Sequence, residues 1–99
     1  MDMESLMAKA QDIQKQIHSA QDSLAKMHVK GIADNGMVVV DMTGKYDLVS
    51  VTINPDALGQ GAPKVSELVA DAYRDAKAKA DVLIDDIMGK VSSGFPMMN

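Results

Sequence analysis

The sequence predicts an α+β domain: a long helix, a three-stranded antiparallel meander and a second long helix, closed as a two-fold homodimer. Three observations predict it. Apolar residues recur at heptad spacing through the first quarter of the chain. The periodicity switches to two in the middle. Helical spacing returns after a connector that contains Pro and Gly. The 99 residues make one domain, spanning 1–99.

The first helix covers about residues 2 to 28. Its apolar positions are Leu6, Ala10, Ile13, Ile17, Ala20, Leu24 and Met27, so the spacing alternates four and three. Gly and Pro are absent from this stretch, and strong helix formers fill it.

The sheet covers about residues 28 to 54. His28 to Ala33 forms a first strand. Asn35-Gly36 is a hairpin signal, because both residues tolerate the left-handed backbone a tight turn needs. Met37 to Met42 is the second strand, Thr43-Gly44-Lys45 the second turn, and Tyr46 to Ile53 the third strand. Short turns make neighbouring strands antiparallel. Asn54-Pro55 ends the run, since Pro cannot donate to a ladder.

Residues Pro55 to Ala62, with Gly59 and Gly61, read as a loop. The second helix covers about residues 63 to 89, with Pro63 in its first turn. Val65, Leu68, Val69, Ala72, Ala76, Ala80, Leu83 and Ile87 line one face. Gly89 or Gly94 stops it. The tail from Ser92 to Asn99 is expected to be mobile.

Two geometric arguments predict a dimer. A helix of about 25 residues is about 38 Å long, whereas a strand of about 8 residues spans about 27 Å. The helices overhang the sheet, and the first seam needs a cover beyond it. The sheet also reads as apolar on both faces. Val49, Val51 and Ile53 point one way and Tyr46 and Leu48 the other, with Val38 and Val40 on one side of the second strand and Val39 on the other. One chain's helices cover one face, so the face assigned to Tyr46, Leu48, Val38 and Val40 is the expected dimer interface; the competing reading is a monomer whose two helices split across both faces of the sheet.

Composition narrows the function. Tyr46, Tyr73 and Phe95 are the only aromatics, and nine Met supply adaptable bulk for a thin core. There is no Cys, which excludes disulfides, thiol catalysis and Cys-based zinc sites and fits a cytoplasmic location. Met1 to Lys15 mixes charge with apolar residues, so no signal peptide is expected. The longest apolar run, Met37 to Val40, is too short to span a membrane. The net charge of −4 argues against a simple polycation that coats nucleic acid.

Candidate sites follow from spacing. Lys15 and Lys26 are eleven positions apart and share a helical face, and Arg74 and Lys77 are helix-surface neighbours. A dimer doubles each set and presents two basic prongs to phosphates. The competing account is a solvated surface: Asp22 precedes Lys26 by four, Asp75 precedes Lys79 by four and Asp81 follows Lys77 by four. His18 and His28 fall on different faces without an evident acidic partner, so no metal site is expected. Asp85 and Asp86 point in different directions on a helix and cannot share a proton. Gly59-Gln60-Gly61 lacks the Lys-Ser/Thr of a phosphate loop. No catalytic constellation, cofactor or small-molecule substrate is implied.

The ordered set of these features resembles the YbaB/EbfC family of small bacterial nucleoid-associated proteins. The likeness covers about Leu6 to Gly94. It is carried by Leu6-Met7, Ala10-Gln11, Gln14 and Ile17; by Val29, Gly31, Gly36, Val38, Val40, Gly44, Leu48, Val51 and Ile53-Asn54-Pro55; by Glu67-Leu68-Val69, Ala72-Tyr73 and Asp75-Ala76; and by Met88, Val91, Gly94 and Phe95. The resemblance implies a dimer whose paired sheets form a body with tweezer-like helical arms. It also implies DNA binding in the nucleoid without catalysis, so that the partners are DNA and a second copy. The alternative is a homodimeric protein-interaction module whose heptad-lined arms grip another protein's helix without binding DNA.

Overall fold

The computed structural model describes residues 2–93. Its elements run α1 (Met3–Lys26), β1 (His28–Ala33), β2 (Val38–Thr43), β3 (Leu48–Ile53), α2 (Pro55–Leu58) and α3 (Ala62–Ser93). The sheet order is β1-β2-β3, antiparallel throughout. This is the expected helix–meander–helix order, with α2 added where a loop was expected.

Helix α1 starts where Asp2 caps it. The Asp2 carboxylate accepts from the Ser5 amide at 2.8 Å, and Glu4 in the first turn suits the positive helix end. It stops at Met27, whose backbone is extended. The chain then turns directly into β1. Helix α3 is longer than its spacing suggests. It begins with Pro63 in its first turn and runs through Gly89 to Ser93. One glycine costs a helix only about 1 kcal/mol, which flanking turns of good formers absorb. The other expected stop, Gly94, and the rest of the expected mobile tail lie outside the described residues.

The β1–β2 connection is a 3₁₀ turn, Asp34–Gly36, in which Asp34, Asn35 and Gly36 all have positive φ. These residue types accept the left-handed region at least cost, which explains why they sit together.

Helix α3 lies across β1 and β2. Val38, Val40 and Met42 are buried beneath Leu68, Ala72, Ala76 and Ala80, with Ala33 and Ala57 at the edges. The alanine row keeps α3 thin on this face, and Gly31 lets β1 approach it. This core corrects one expectation. Val38 and Val40, assigned above to a dimer interface, are 0 % and 1 % exposed under their own chain's helix and offer nothing to a second chain.

The other sheet face is also not the apolar surface expected. By register it carries His28, Lys30 and Ile32 from β1, Val39, Asp41 and Thr43 from β2, and Ser50 and Thr52 from β3. The strict alternation fails at a bulge. Opposite Asp41 and Met42 the register skips Val49, so Leu48 pairs with Met42 and joins the face of Val51 and Ile53. The apolar surplus therefore lies along β3, where α3 does not reach. There Leu48 is 55 % exposed and Val51 39 %.

The helices overhang the sheet. The chain measures 68 × 23 × 16 Å. On α1, Ala20 and Leu24 are buried, Ile13 and Ile17 half-buried, and Leu6 and Ala10 exposed. The last turns of α1 pack beside α3 around Ile87, and its first turns project as an arm.

Candidate nucleic-acid interface

The basic residues fall into two groups. Those on α3 are matched to carboxylates one turn away. Lys64 meets Glu67 at 3.9 Å, Arg74 meets Asp71 at 3.0 Å, Lys77 meets Asp81 at 3.5 Å, Lys79 meets Asp75 at 3.1 Å and Lys90 meets Asp86 at 3.9 Å. The second group is Lys9, Lys15, Lys26, Lys30 and Lys45, which make no ion pair among the described residues. Three of these five are on α1.

The four expected contact residues thus separate. Lys15 and Lys26 make no ion pair among the described residues, Lys15 midway along α1 and Lys26 at its last, anchored turn. Lys15 lines the groove between α1 and α3 with Gln16, Ser19 and Ser23, polar side chains of the kind that bond phosphate oxygens. Arg74 and Lys77 are instead beside the sheet. Arg74 is on the rim of a groove next to β3, and the Lys77 ammonium stands 5.6 Å from the centre of the Tyr46 ring. The expected Asp22–Lys26 pair does not form, because Asp22 faces His18 at 3.5 Å instead.

Tyr46, expected at the dimer interface, is tied to its own chain. Its hydroxyl donates to the Asp81 carboxylate, and its backbone holds φ 69°. This bond holds the Asp81 carboxyl below the usual range and, with the negative charge of Asp81 and Asp85, raises the Tyr46 phenol. Tyr46, 42 % exposed, and Leu48, 55 % exposed, are the expected interface residues that the chain leaves open. Leu48 also borders the uncovered side of β3. It lines a 440 Å³ apolar groove with Val51, Val69 and Tyr73.

Both histidines have carboxylate partners: His18 meets Asp22 one turn on along α1, at a spacing visible in the sequence, and His28 meets Asp41 across the sheet, which spacing does not reveal. His28 Nδ1 lies 2.8 Å from an Asp41 carboxylate oxygen across the sheet face. Among the described residues no three His, Cys, Asp or Glu side chains converge as metal ligands. Likewise among them, no helix is long and apolar enough to cross a membrane.

Residues 1–95 match the YbaB/EbfC DNA-binding family. The chain belongs to that family. The same fold appears in a solved structure, that of an uncharacterized protein from Helicobacter pylori. It superposes with a TM-score of 0.80 over 91 % of this chain and 96 % of that one, at 17 % identity. At that identity the likeness speaks for the fold. Among the family-like residues of the sheet and second helix, Val38, Val40, Leu68, Ala72 and Ala76 are buried and Gly31 and Gly44 lie at close backbone approaches, while Leu48, Val51 and Tyr73 stay exposed.

One feature of α3 escaped the sequence reading. The i,i+4 spacing of Asp75 and Lys79 announces an ion pair, but not its target. The Ile32 amide donates to Asp75 Oδ2 at 2.9 Å, and Lys79 Nζ donates to the Lys30 carbonyl at 2.7 Å. Only the crossing of α3 over β1 reveals that the pair grips a strand edge.

Proposed function

We propose that this chain is a non-enzymatic DNA-binding protein of the bacterial nucleoid that works as a homodimer. Membership of the YbaB/EbfC DNA-binding family over residues 1–95 carries this reading. The unpaired lysines of α1 support it. A net charge of −4 disfavours contact with DNA over the whole surface, so binding has to be local. Lys9, Lys15 and Lys26 provide such a place along α1, with no carboxylate paired to them among the described residues. No base-reading arrangement accompanies them, so the contacts are to the phosphate backbone and sequence preference is slight.

The dimer half of the proposal rests on surface the single chain leaves bare. That surface is the apolar groove along β3, where Leu48 is 55 % exposed and Val51 39 %.

Fluorescence anisotropy with a labelled duplex, titrated at several salt concentrations, tests the reading. The logarithm of the binding constant should fall linearly with that of salt, with a slope of about −0.9 per phosphate contact. Absence of binding at about 50 mM salt with protein well above micromolar would overturn it.

A second reading has its own observation. Met3 is 73 % exposed, Leu6 45 % and Met7 58 %, which leaves an apolar stripe at the end of α1. A homodimeric module that grips a partner protein's helix by these arms would use that stripe. In that case DNA binding is absent, and Leu6→Glu abolishes partner capture while leaving the dimer intact.

A further inference from the structure

The two edges of the sheet are treated differently by the rest of the chain. An edge strand exposes a row of unpaired amides and carbonyls that another strand can join. On β1, the Ile32 amide and the Lys30 carbonyl face away from β2. Each is already bonded, to Asp75 Oδ2 at 2.9 Å and to Lys79 Nζ at 2.7 Å. Asp75 and Lys79 also pair with each other at 3.1 Å. The result is a closed clasp across the strand edge, built of charge-assisted bonds that an incoming strand would have to displace.

Edge β3 has no such cover. Its sequence, Leu48-Val49-Ser50-Val51-Thr52-Ile53, has no charge and no proline, the two commonest protections of an edge. Every residue except Ile53 is exposed, and no side chain among the described residues bonds its outer backbone. Beyond the bulge at Leu48, the stretch from Ser50 to Ile53 pairs regularly with β2 and is fit to act as a template.

We propose that Asp75 and Lys79 close the β1 edge, so that a second copy of this chain joins only at β3 and assembly stops at two. The inference rests on the homodimer proposed above and gives it a direction and a limit. Two open edges on one sheet would let copies add without end. One closed edge and one open edge allow a single antiparallel junction, which makes a continuous six-stranded sheet.

The chemistry of β3 fits its own copy in particular. Residues near a two-fold axis meet themselves, so a charge there would face its like. Strand β3 has none. The groove beside it, lined by Leu48, Val51, Val69 and Tyr73, has one charged group on its rim, Arg74, and Asp71 neutralises that at 3.0 Å.

Light scattering on size-separated protein tests both parts. The wild type should have the mass of two chains at all concentrations up to about 100 µM. Val51→Lys, which sets like charges across the axis, should have the mass of one, and Leu48→Lys the same should Val51→Lys fail to fold. Asp75→Ala combined with Lys79→Ala should exceed two and grow with concentration. A folded double variant that keeps the wild-type mass would overturn the clasp. If the double variant unfolds, Lys79→Ala alone decides the matter, since it bares the Lys30 carbonyl and keeps the Ile32–Asp75 bond. A wild type of one chain would overturn the homodimer. The clasp would then be judged separately, by whether the double variant gains copies over that monomer.

Discussion

A Cβ atom placed on Gly31 would sit 1.8 Å from the carbonyl oxygen of Ala72, so β1 and α3 meet backbone to backbone at that point. The Ala76 amide nitrogen would be 2.5 Å away. Neither is the end of a flexible side chain, so the helix must lift off the sheet to admit a methyl group. Lifting α3 also strains the clasp one turn away, where Asp75 bonds Ile32.

Gly31→Ala should therefore destabilise the protein by about 3 kcal/mol, at the upper end of overpacking costs. Gly89→Ala should act in the opposite sense. A methyl there meets nothing within 4 Å, on an exposed turn of α3. It should stabilise by about 1 kcal/mol through helix propensity. Urea unfolding followed by circular dichroism measures both. Equal and small effects would mean that β1 and α3 are not in close contact.

Much of this architecture was legible in the residues. The heptad seam gave α1, and the turn residues gave three strands, with β1 placed as observed from His28 to Ala33. The alanines and Leu68 gave the face of α3 that covers the sheet. What failed was the alternation argument along the third strand. It places Leu48 opposite Val51, but a bulge that skips Val49 puts them on one side. A bulge has no signature in composition, because the residue it skips is as β-prone as its neighbours. The same limit hid the role of Val38 and Val40. Alternation says that two sides exist, not which one α3 covers. At the candidate DNA surface, sequence spacing could list lysines and nearby acids. It could not tell that Asp22 faces His18 and leaves Lys26 without a carboxylate partner.

Helix α1 is anchored at one end only, which two leucines on one seam can expose. Leu24 is 4 % exposed and packs against Gly44, whose amide bonds the Leu24 carbonyl at 3.0 Å. Leu6 is 45 % exposed on the projecting turns. Leu24→Ala should cost about 2–5 kcal/mol, the usual range for a buried leucine. Leu6→Ala should change global stability by less than about 0.5 kcal/mol, as a surface substitution does. A large loss for Leu6→Ala in the isolated protein would show that the arm is packed against something, and the dimer is the first place to look.

Acid and alkali should both weaken the fold, for opposite reasons. The Ile32 amide and Lys79 hold the Asp75 carboxyl below the ordinary range, and the Tyr46 hydroxyl and Lys77 do the same for Asp81. A lowered folded value means stability that is present above the unfolded value of about 3.9 and lost as pH falls through the folded one. The Tyr46 phenol is raised by its bond to Asp81 and by the charges of Asp81 and Asp85. Its contribution is present below about 10 and lost as pH rises through the folded value. These groups are exposed, so the effect is modest and salt weakens it. The difference in urea midpoint between wild type and Tyr46→Phe should stay constant through neutral pH and shrink above about pH 10. A difference that stays constant into alkali would remove Tyr46 from this account.

The lysines of α1 and the basic residues of α3 should behave differently on DNA. Among the described residues Lys15 and Lys26 make no ion pair, so a phosphate meets them without a competing carboxylate. Arg74 and Lys77 must first leave Asp71 and Asp81, which repel the same phosphate. Lys15→Ala removes two contacts from a homodimer, so the log–log salt slope should shrink by about 1.8. Lys26→Ala should do the same. Arg74→Ala and Lys77→Ala should leave the slope nearly unchanged. Anisotropy titrations of the four variants at matched salt distinguish the cases, with light scattering to verify that each remains a dimer. A reversed ranking, with α3 variants losing slope and α1 variants keeping it, would move the DNA surface from α1 to the side of the sheet. It would also bring DNA to the rim of the β3 groove, where Arg74 stands, so that DNA and a second copy would compete for the same ground.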